Sequence, residues 1–313
     1  MFDRDEYHLL DFGDGRRLER FGALVLDRPC PTAEGLAKGD PALWATADAR
    51  FVRTEGKQGE WRSDRALPER WTIAYRPKNG TGLIFGNGPA GASQKLDLSR
   101  FSVVLELKCT EFGHLGVFPE KAANWDWLAG RIRRARETHQ SPLHVLNLFA
   151  YTGASTLAAA AAGAEVVHVD AARNVVDWAR RNAEASGLAD APVRWIAEDA
   201  TKFVKRELKR GNPYDAVILD PPSYGHGPRG EVWRLSRHLP RLLAMCADLT
   251  ADRRRFLLVT CHTPKFGPAR LERLVTETFG PGRATAEHLA LTSSTGRELP
   301  SGVVVRWEGE TRS

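Results

Sequence analysis

The sequence has few cysteines and no long apolar run. Its four cysteines, Cys30, Cys109, Cys246 and Cys261, are widely spaced and form no CxxC pair, which argues against a disulfide framework and against a zinc site. No stretch approaches the roughly 20 apolar residues that a membrane span requires. The N-terminal MFDRDEYHLL has no apolar signal-peptide centre. We therefore expect a cytoplasmic protein with no bound metal and no membrane segment.

The composition describes a globular protein with an excess of positive charge. Of its 313 residues, 42% are hydrophobic and 27% are charged, which is typical of soluble domains, and the length suits two of them. The net charge of +6 favours a polyanionic partner such as a nucleic acid.

The first 110 residues show mainly strand patterns. Tyr7 to Phe12 and Arg17 to Phe21 flank Asp14-Gly15, a combination that predicts a β-hairpin. Residues 27–50 contain prolines and short polar stretches and predict a loop, whereas Asn79-Gly80 predicts a turn. Further strands are predicted at 23–26, 71–76, 82–86 and 101–108. We expect residues 1–110 to form a small β-rich N-terminal domain.

Beyond residue 110, predicted helices alternate with apolar strands. A helix over 121–139 precedes strands at 143–149, 165–170, 193–197, 214–220 and 255–262. Such alternation is typical of a mainly parallel α/β sheet. The last two strands, at 286–292 and 302–307, follow each other without a clear helix, so they predict a hairpin that makes one strand at the sheet edge antiparallel. We expect this second domain to span residues 111–313.

The stretch LHVLNLFAYTGASTLAAAAAGAEVVHVD at 143–170 predicts a βαβ unit. Its first apolar run is typical of a buried parallel strand, and its second strand ends in Asp170. Between them, Gly153 allows the backbone to turn tightly and to approach a ligand closely. Such a unit binds a nucleoside beyond its strand ends, where a carboxylate accepts both ribose hydroxyls. The loop FAYTGAST has one glycine, whereas the dinucleotide fingerprint needs three to meet a pyrophosphate. A ligand without phosphates, such as S-adenosylmethionine, fits this loop better.

Four segments resemble, in order and spacing, the motifs of class I S-adenosylmethionine-dependent methyltransferases. They are NLFAYTG at 147–153, VDAARNVVDWARRNAEASGL at 169–188, EDATKF at 198–203 and VILDPPSYG at 217–225. More closely, they resemble the bacterial family that modifies large-subunit (23S) ribosomal RNA, which includes cytosine-5 and guanine-N7 enzymes. The resemblance covers roughly residues 112–262. It implies a Rossmann-like α/β sheet, S-adenosylmethionine as the cofactor and S-adenosylhomocysteine as the product.

The resemblance also implies a cofactor site. Asp170 would bind the ribose hydroxyls, Asp199 would meet the adenine amino group, and Asp220 would lie near the transferred methyl. An acidic residue at a strand end also caps a following helix, so a structural interpretation of Asp170 and Asp199 stays open. Phe149 and Tyr151 also suit an aromatic core. The implied cofactor-binding residues are Phe118, Lys121, Phe149, Ala150, Tyr151, Thr152, Gly153, Asp170, Ala171, Asp199, Ala200 and Asp220.

The motif Asp220-Pro221-Pro222-Ser223-Tyr224 marks the point where the chain leaves the sheet, because two prolines remove ladder donors and fix φ. A rigid exit makes the Asp220 carboxylate a fixed acceptor, and Tyr224 could stack on a base. Amino-methylating enzymes often carry a similar motif with an aromatic residue directly after the prolines. Ser223 interrupts that pattern, so the motif does not predict amino methylation, and a purely structural turn is the alternative. We expect catalytic roles for Asp220, Pro221 and Tyr224.

Cys261 ends the predicted strand in LLVTCH, where the cytosine-5 enzymes that this sequence resembles carry a nucleophilic cysteine. In that chemistry a thiolate adds to cytosine C6, and C5 then attacks the methyl group. A small buried thiol is the structural alternative. Methylation of guanine N7 needs no covalent catalysis, since positioning of an already nucleophilic lone pair suffices. The resemblance leaves the methylated atom open.

The segment GHGPRGEVWRLSRHLPRLLAM at 225–245 predicts a glycine-rich loop followed by an amphipathic helix. Its basic side chains could contact RNA phosphates or form a solvated helix face, and Trp233 could stack or pack. Lys265 and Arg270 admit the same two interpretations. The candidate phosphate contacts within the segment are His226, Arg229, Arg234 and Arg237.

Together these patterns favour a methyltransferase that acts on a base in ribosomal RNA, with the N-terminal domain helping to hold the RNA. One alternative is a methyltransferase for a small molecule or a protein, with the N-terminal domain as a lid. Another is a cofactor-binding or RNA-binding module without turnover. The intact DPP motif argues against this last alternative, because a binding module needs no rigid acceptor beside the methyl.

Overall fold

The computed structural model describes residues 2–55, 58–76, 81–84, 94–97, 102–138, 141–226, 232–263 and 266–309. Asp14 and Gly15 have φ angles of 51° and 69°, as the tight turn of a two-residue hairpin requires, and the predicted hairpin is confirmed. It opens a five-stranded sheet in which the strands lie side by side in chain order. The strands are β1 (Tyr7–Gly13), β2 (Arg16–Phe21), β3 (Leu24–Pro29), β4 (Ala49–Glu55) and β5 (Gln58–Arg62).

Two further strand pairs complete the N-terminal region. Strand β6 (Trp71–Tyr75) pairs antiparallel with β9 (Val103–Leu107). Between them in sequence, β7 (Thr81–Ile84) pairs with β8 (Gln94–Asp97). The turn predicted at Asn79-Gly80 lies outside the described residues. Since β6 joins β9 and not β7, the sheet partner of β6 is distant in sequence.

The second region contains a seven-stranded mixed sheet with strand order β12-β11-β10-β13-β16-β18-β17. Its first five strands run parallel, and β18 runs antiparallel to both of its neighbours. The expected Rossmann-like sheet with one antiparallel strand in an edge hairpin is therefore confirmed. The strands of this region are β10 (His144–Leu148), β11 (Glu165–Asp170), β12 (Val193–Ala197), β13 (Ala216–Leu219), β14 (Tyr224–His226), β15 (Val232–Arg234), β16 (Phe256–Cys261), β17 (Gly282–Thr292) and β18 (Glu298–Gly309).

Six α-helices occur in the described part of this region, and they are α1 (Ala122–Thr138), α2 (Ala154–Ala161), α3 (Arg173–Ala185), α4 (Ala200–Arg210), α5 (Leu235–Leu249) and α6 (Pro268–Phe279). Within the described chain no helix is long and apolar enough to cross a membrane. After the DPP motif, strands β14 and β15 form a small hairpin, and this corrects the expectation of a loop leading directly into a helix. Arg234 accordingly ends a strand, with α5 beginning at Leu235. Arg229 and Lys265 lie outside the described residues, as does the side chain of His226.

The N-terminal strands pack directly on the second region. Leu105 of β9, Trp125 of α1 and Leu157 of α2 belong to one continuous cluster of buried apolar side chains. A polar contact joins β9 to α3 as well, because the backbone N–H of Glu106 donates to Asn182 Oδ1 at 2.8 Å. At the other end, Arg297 donates to the carbonyl of Ala37 at 2.9 Å. The two regions therefore share one continuous apolar core, and the division at residue 110 stays a prediction.

Candidate functional site

The loop that follows β10 has an unusual backbone. Phe149, Tyr151 and Gly153 have positive φ angles of 56°, 52° and 89°, a conformation that residues other than glycine rarely adopt. A Cβ on Gly153 would lie 3.0 Å from the Cβ of Ala179, so close packing against α3, in addition to the turn itself, explains this glycine. Backbone strain of this kind persists where the surrounding structure enforces it, commonly at functional sites.

Asp170 holds this loop from the end of the neighbouring strand β11. Its carboxylate accepts hydrogen bonds from the backbone N–H of Tyr151 at 2.9 Å and of Ala172 at 3.0 Å. Burial raises the pKa of Asp170 more than these backbone donors lower it, and the charge of Asp220 raises it further. The carboxylate has more lone pairs than these two donors use. It can therefore organise the loop and still accept hydrogen bonds from a ligand.

Thr152 connects the loop to the segment that precedes α1. Its hydroxyl donates to the carbonyl of Gly116 at 2.6 Å, while its own carbonyl accepts from Asn182 Nδ2 at 2.8 Å. Gly116 has a φ of 104°, and a Cβ there would lie 2.4 Å from the ring of Trp178. Sequence reasoning missed Gly116 and Asn182, because their role depends on contacts between segments distant in sequence.

A buried polar network lies beneath the loop. Asn147 Nδ2 donates to the hydroxyl of Thr156 at 2.8 Å, and this hydroxyl lies 2.9 Å from Nδ1 of His168. Burial lowers the pKa of His168 to about 3, with a smaller effect from the charge of Arg180. The imidazole is therefore neutral at physiological pH and belongs to the support of the site.

Asp220 lies where the chain leaves β13, and three side chains surround its carboxylate. Lys121 Nζ and the Thr260 hydroxyl both donate to it, and Nε2 of His262 lies 3.6 Å from Oδ1. Burial alone would raise the pKa of Asp220, but the ammonium of Lys121 and the imidazole of His262 lower it well below its usual range. Asp220 is therefore a firmly ionised acceptor.

One cleft brings most of the predicted cofactor residues together. Those that line it are Phe118, Lys121, Phe149, Ala150, Tyr151, Thr152, Gly153 and Asp220. Asp170 reaches the same loop through its bond to Tyr151. Asp199 caps α4 by accepting a hydrogen bond from the N–H of Lys202 at 2.9 Å, as the structural alternative predicted. Ala200 is buried in the first turn of α4, whereas Ala171 is exposed. The cofactor roles of Ala171, Asp199 and Ala200 stay predictions.

The hairpin after the DPP motif packs against Phe149, one of the side chains that line the cleft. Trp233 packs against Phe149 with ring centroids 5.1 Å apart, and its indole N–H donates to the carbonyl of Pro222 at 2.7 Å. Tyr224 is 43% exposed on this hairpin, a position that suits stacking, whereas Pro221 is buried. The packing alternative thus describes Trp233, and the stacking role of Tyr224 stays a prediction.

Cys261 lies at the end of β16 but does not line the same cleft. Its thiol is buried, and Sγ accepts from the N–H of Thr263 at 3.5 Å. Burial raises the pKa of this thiol, which favours the unreactive protonated form. Within the described chain, no group of three or more His, Cys, Asp or Glu side chains could hold a metal ion.

Comparisons with known proteins cover this region. A sequence profile of S-adenosylmethionine-dependent methyltransferases matches residues 122–278. The "Ribosomal RNA large subunit methyltransferase I" of Aeromonas hydrophila is 30% identical over 165 residues, which make up 51% of this chain and 39% of that protein. The "Ribosomal RNA large subunit methyltransferase K/L" of Hahella chejuensis is 33% identical over 132 residues, 42% of this chain and 18% of that protein.

These two matches therefore span less than half of each curated relative's length. Among solved structures, a S-adenosylmethionine-dependent methyltransferase from Agrobacterium tumefaciens superimposes with a TM-score of 0.81 and 36% sequence identity. The superposition covers 97% of this chain and 91% of that one.

Proposed function

The chain belongs to the family of S-adenosylmethionine-dependent methyltransferases, and on that premise we propose that it methylates a base of ribosomal RNA. The observation that supports the acceptor is the match of its catalytic part to proteins named as ribosomal RNA large subunit methyltransferases. The net charge of +6 agrees with a polyanionic substrate. The cofactor cleft and the ionised Asp220 at its end supply the chemistry.

The residues of the cleft fit S-adenosylmethionine. Asp170 and Asp220 provide two carboxylates and Lys121 provides one ammonium, so these three groups leave a negative balance that suits a cation. The single glycine of the loop offers no cradle for a diphosphate, and this cofactor has none. When bound, it supplies an electrophilic methyl group on a positively charged sulfur.

Two carboxylates would hold the nucleoside half of the cofactor. Strands β11 and β12 are parallel neighbours, so Asp170 and Asp199, which lie at or just after their carboxyl ends, share one edge of the sheet. We assign the ribose hydroxyls to Asp170 and the adenine amino group to Asp199. One oxygen of Asp199 is used by the α4 cap, which leaves the other for the ligand.

Asp220 would position the acceptor. Its depressed pKa makes it a poor base at neutral pH, because a good general base has a pKa near the working pH. It therefore acts as a hydrogen-bond acceptor and as an electrostatic partner of the cationic cofactor. Lys121 and Thr260 fix both of its oxygens, and this preorganisation keeps the carboxylate in place during transfer.

Labelled cofactor and ribosomal RNA from a strain lacking this protein test the proposal directly. Wild-type protein should transfer label to the RNA, whereas Asp220→Asn should lose most activity and retain its fold. Transfer to small molecules or proteins in a cell extract, with none to RNA, would overturn the acceptor assignment.

A cysteine variant then separates the two chemical routes. If the methylated atom is cytosine C5, Cys261→Ala should abolish transfer, because the covalent adduct cannot form. Cys246→Ala is a matched control, since Cys246 is a buried thiol in α5 that does not line the cofactor cleft. Full activity of Cys261→Ala would exclude nucleophilic catalysis by Cys261 and favour transfer to an already nucleophilic atom such as guanine N7.

A further inference from the structure

A second cleft, of about 690 Å³, opens beside the cofactor cleft. Its walls come from the N-terminal sheet, from the segment before α1 and from the end of β16, and they include Arg17, Arg28, Glu120, Cys261 and His262. Phe118 and His262 separate the two clefts, with ring centroids 6.2 Å apart. Because His262 Nε2 also lies 3.6 Å from Asp220, the second cleft borders the acceptor end of the first.

Glu120 is a buried carboxylate in the wall of this second cleft, and one of its oxygens receives no hydrogen bond from the described residues. The residue is 9% exposed, and among the residues that the structure describes Oε2 has no hydrogen-bond partner. The nearby arginines lie close to another acid, since Arg17 Nε and Arg28 Nη2 are 3.1 Å and 2.5 Å from Glu19 Oε2. Of the two, only Arg28 makes a hydrogen bond there, because Arg17 Nε has no hydrogen-bond partner among the described residues. A buried charge is stable only when hydrogen bonds compensate its lost hydration.

Each nitrogen of the Arg28 guanidinium already donates to another group: Nε and Nη2 donate to Glu19, and Nη1 donates to the carbonyl of Gly113 at 3.1 Å. The formal charges of the two arginines equal those of the two acids, Glu19 and Glu120. A ligand in the cleft can supply the missing N–H donors.

We propose that the second cleft receives the acceptor base and that Glu120 binds its amino-bearing edge. This inference rests on the proposed function and names the group that selects the base. Guanine presents a ring N–H beside an amino group, and cytosine presents an amino group beside a ring nitrogen that a carboxylate can keep protonated. Uracil presents one N–H between two carbonyl oxygens, which the carboxylate repels. Glu120 is thus a specificity residue that accepts amino-bearing bases and rejects uracil.

Nucleoside binding to protein saturated with S-adenosylhomocysteine tests the inference without turnover. Saturation-transfer NMR would compare guanosine, cytidine and uridine, with the occupied cofactor cleft closed to them. Guanosine or cytidine should bind, and Glu120→Gln should weaken that binding at least about tenfold, as loss of a charged hydrogen-bond acceptor predicts. The nucleoside that binds identifies which of the two bases is the acceptor.

Matched variants control for charge and folding. Glu277→Gln, on the exposed surface of α6, makes the same chemical change at a residue that lines neither cleft and should leave nucleoside binding unchanged. Calorimetry should show that Glu120→Gln binds S-adenosylhomocysteine like the wild type. If Glu120→Gln does not fold, Glu120→Asp serves instead. It retains the charge but moves the carboxylate oxygens away from the cleft, and it should weaken binding of the same nucleoside.

Failure of the inference differs from failure of the proposed function. Absence of guanosine and cytidine binding, or equal binding to wild type and Glu120→Gln, overturns the role of Glu120 even if RNA is methylated. If nucleoside binding depends on Glu120 but the wild type transfers no methyl group to RNA, the result supports the role of the second cleft in base binding. It overturns the proposal that RNA is the substrate.

Discussion

Acid should destabilise this protein through the histidine beneath the cofactor loop. Burial lowers the pKa of His168 from 6.5 to about 3, and its ring contacts the hydroxyl of Thr156 at 2.9 Å. In the unfolded chain the same imidazole gains a proton near pH 6.5. Between these two pKa values the unfolded state therefore binds more protons than the folded state, so the free energy of unfolding falls as the pH falls.

The size of the effect follows from the two pKa values. Each pH unit within that window contributes about 1.4 kcal/mol. Integration from pH 7.5 to pH 5.0 gives a loss of about 2 kcal/mol from His168 alone. Above pH 7.5 both states carry a neutral ring, and the contribution disappears.

Urea unfolding at several pH values measures this loss. Wild-type protein should lose about 2 kcal/mol more than His168→Asn between pH 7.5 and pH 5.0, because asparagine can still bond Thr156 but does not titrate. Any constant destabilisation by the variant cancels, since the slope with pH is the readout. Parallel slopes for the two proteins would refute the assignment of a neutral buried His168.

Three further predictions concern the cofactor, the fold and the substrate. Asp170→Asn should weaken S-adenosylmethionine binding at least about tenfold, or 1.4 kcal/mol, in calorimetry on folded protein; equal affinity would remove Asp170 from the ribose site. Gly116→Ala should lower the free energy of unfolding by about 2–4 kcal/mol, because its Cβ would lie 2.4 Å from Trp178. The control Gly130→Ala in α1, whose Cβ would meet nothing within 4 Å, should instead stabilise the protein by about 0.5–1 kcal/mol. Similar melting temperatures for the two variants would contradict this prediction. RNA affinity measured by filter binding should fall steeply with salt, and a flat dependence would favour an uncharged small substrate.

Local signals predicted the parts of the fold that local chemistry determines. The Asp14-Gly15 turn was recognisable because few residue pairs adopt positive φ at both positions. The parallel strands were recognisable because they are buried on both faces, as the uniformly buried β13 illustrates. Strand β5 was missed because its side chains alternate between exposed and half-buried, which leaves little apolar pattern.

The candidate site was predictable only where it follows one chain segment. The loop at 149–153 lies in the cleft as a unit, but Thr260 reaches Asp220 through the register of neighbouring strands, in which Leu219 is paired with Val259. Lys121 was expected to contact the cofactor, and its ion pair with Asp220 joins segments that no local pattern connects. Glu120 gave no signal in the sequence, because its missing donor is visible only after the chain has folded.

Mass spectrometry of nucleosides from ribosomal RNA tests the central claim most directly. RNA from cells that lack this protein should miss one methylated base, and the wild-type gene should restore it whereas the Asp220→Asn gene should not. The same modification profile with and without the protein would contradict the proposal that it methylates ribosomal RNA.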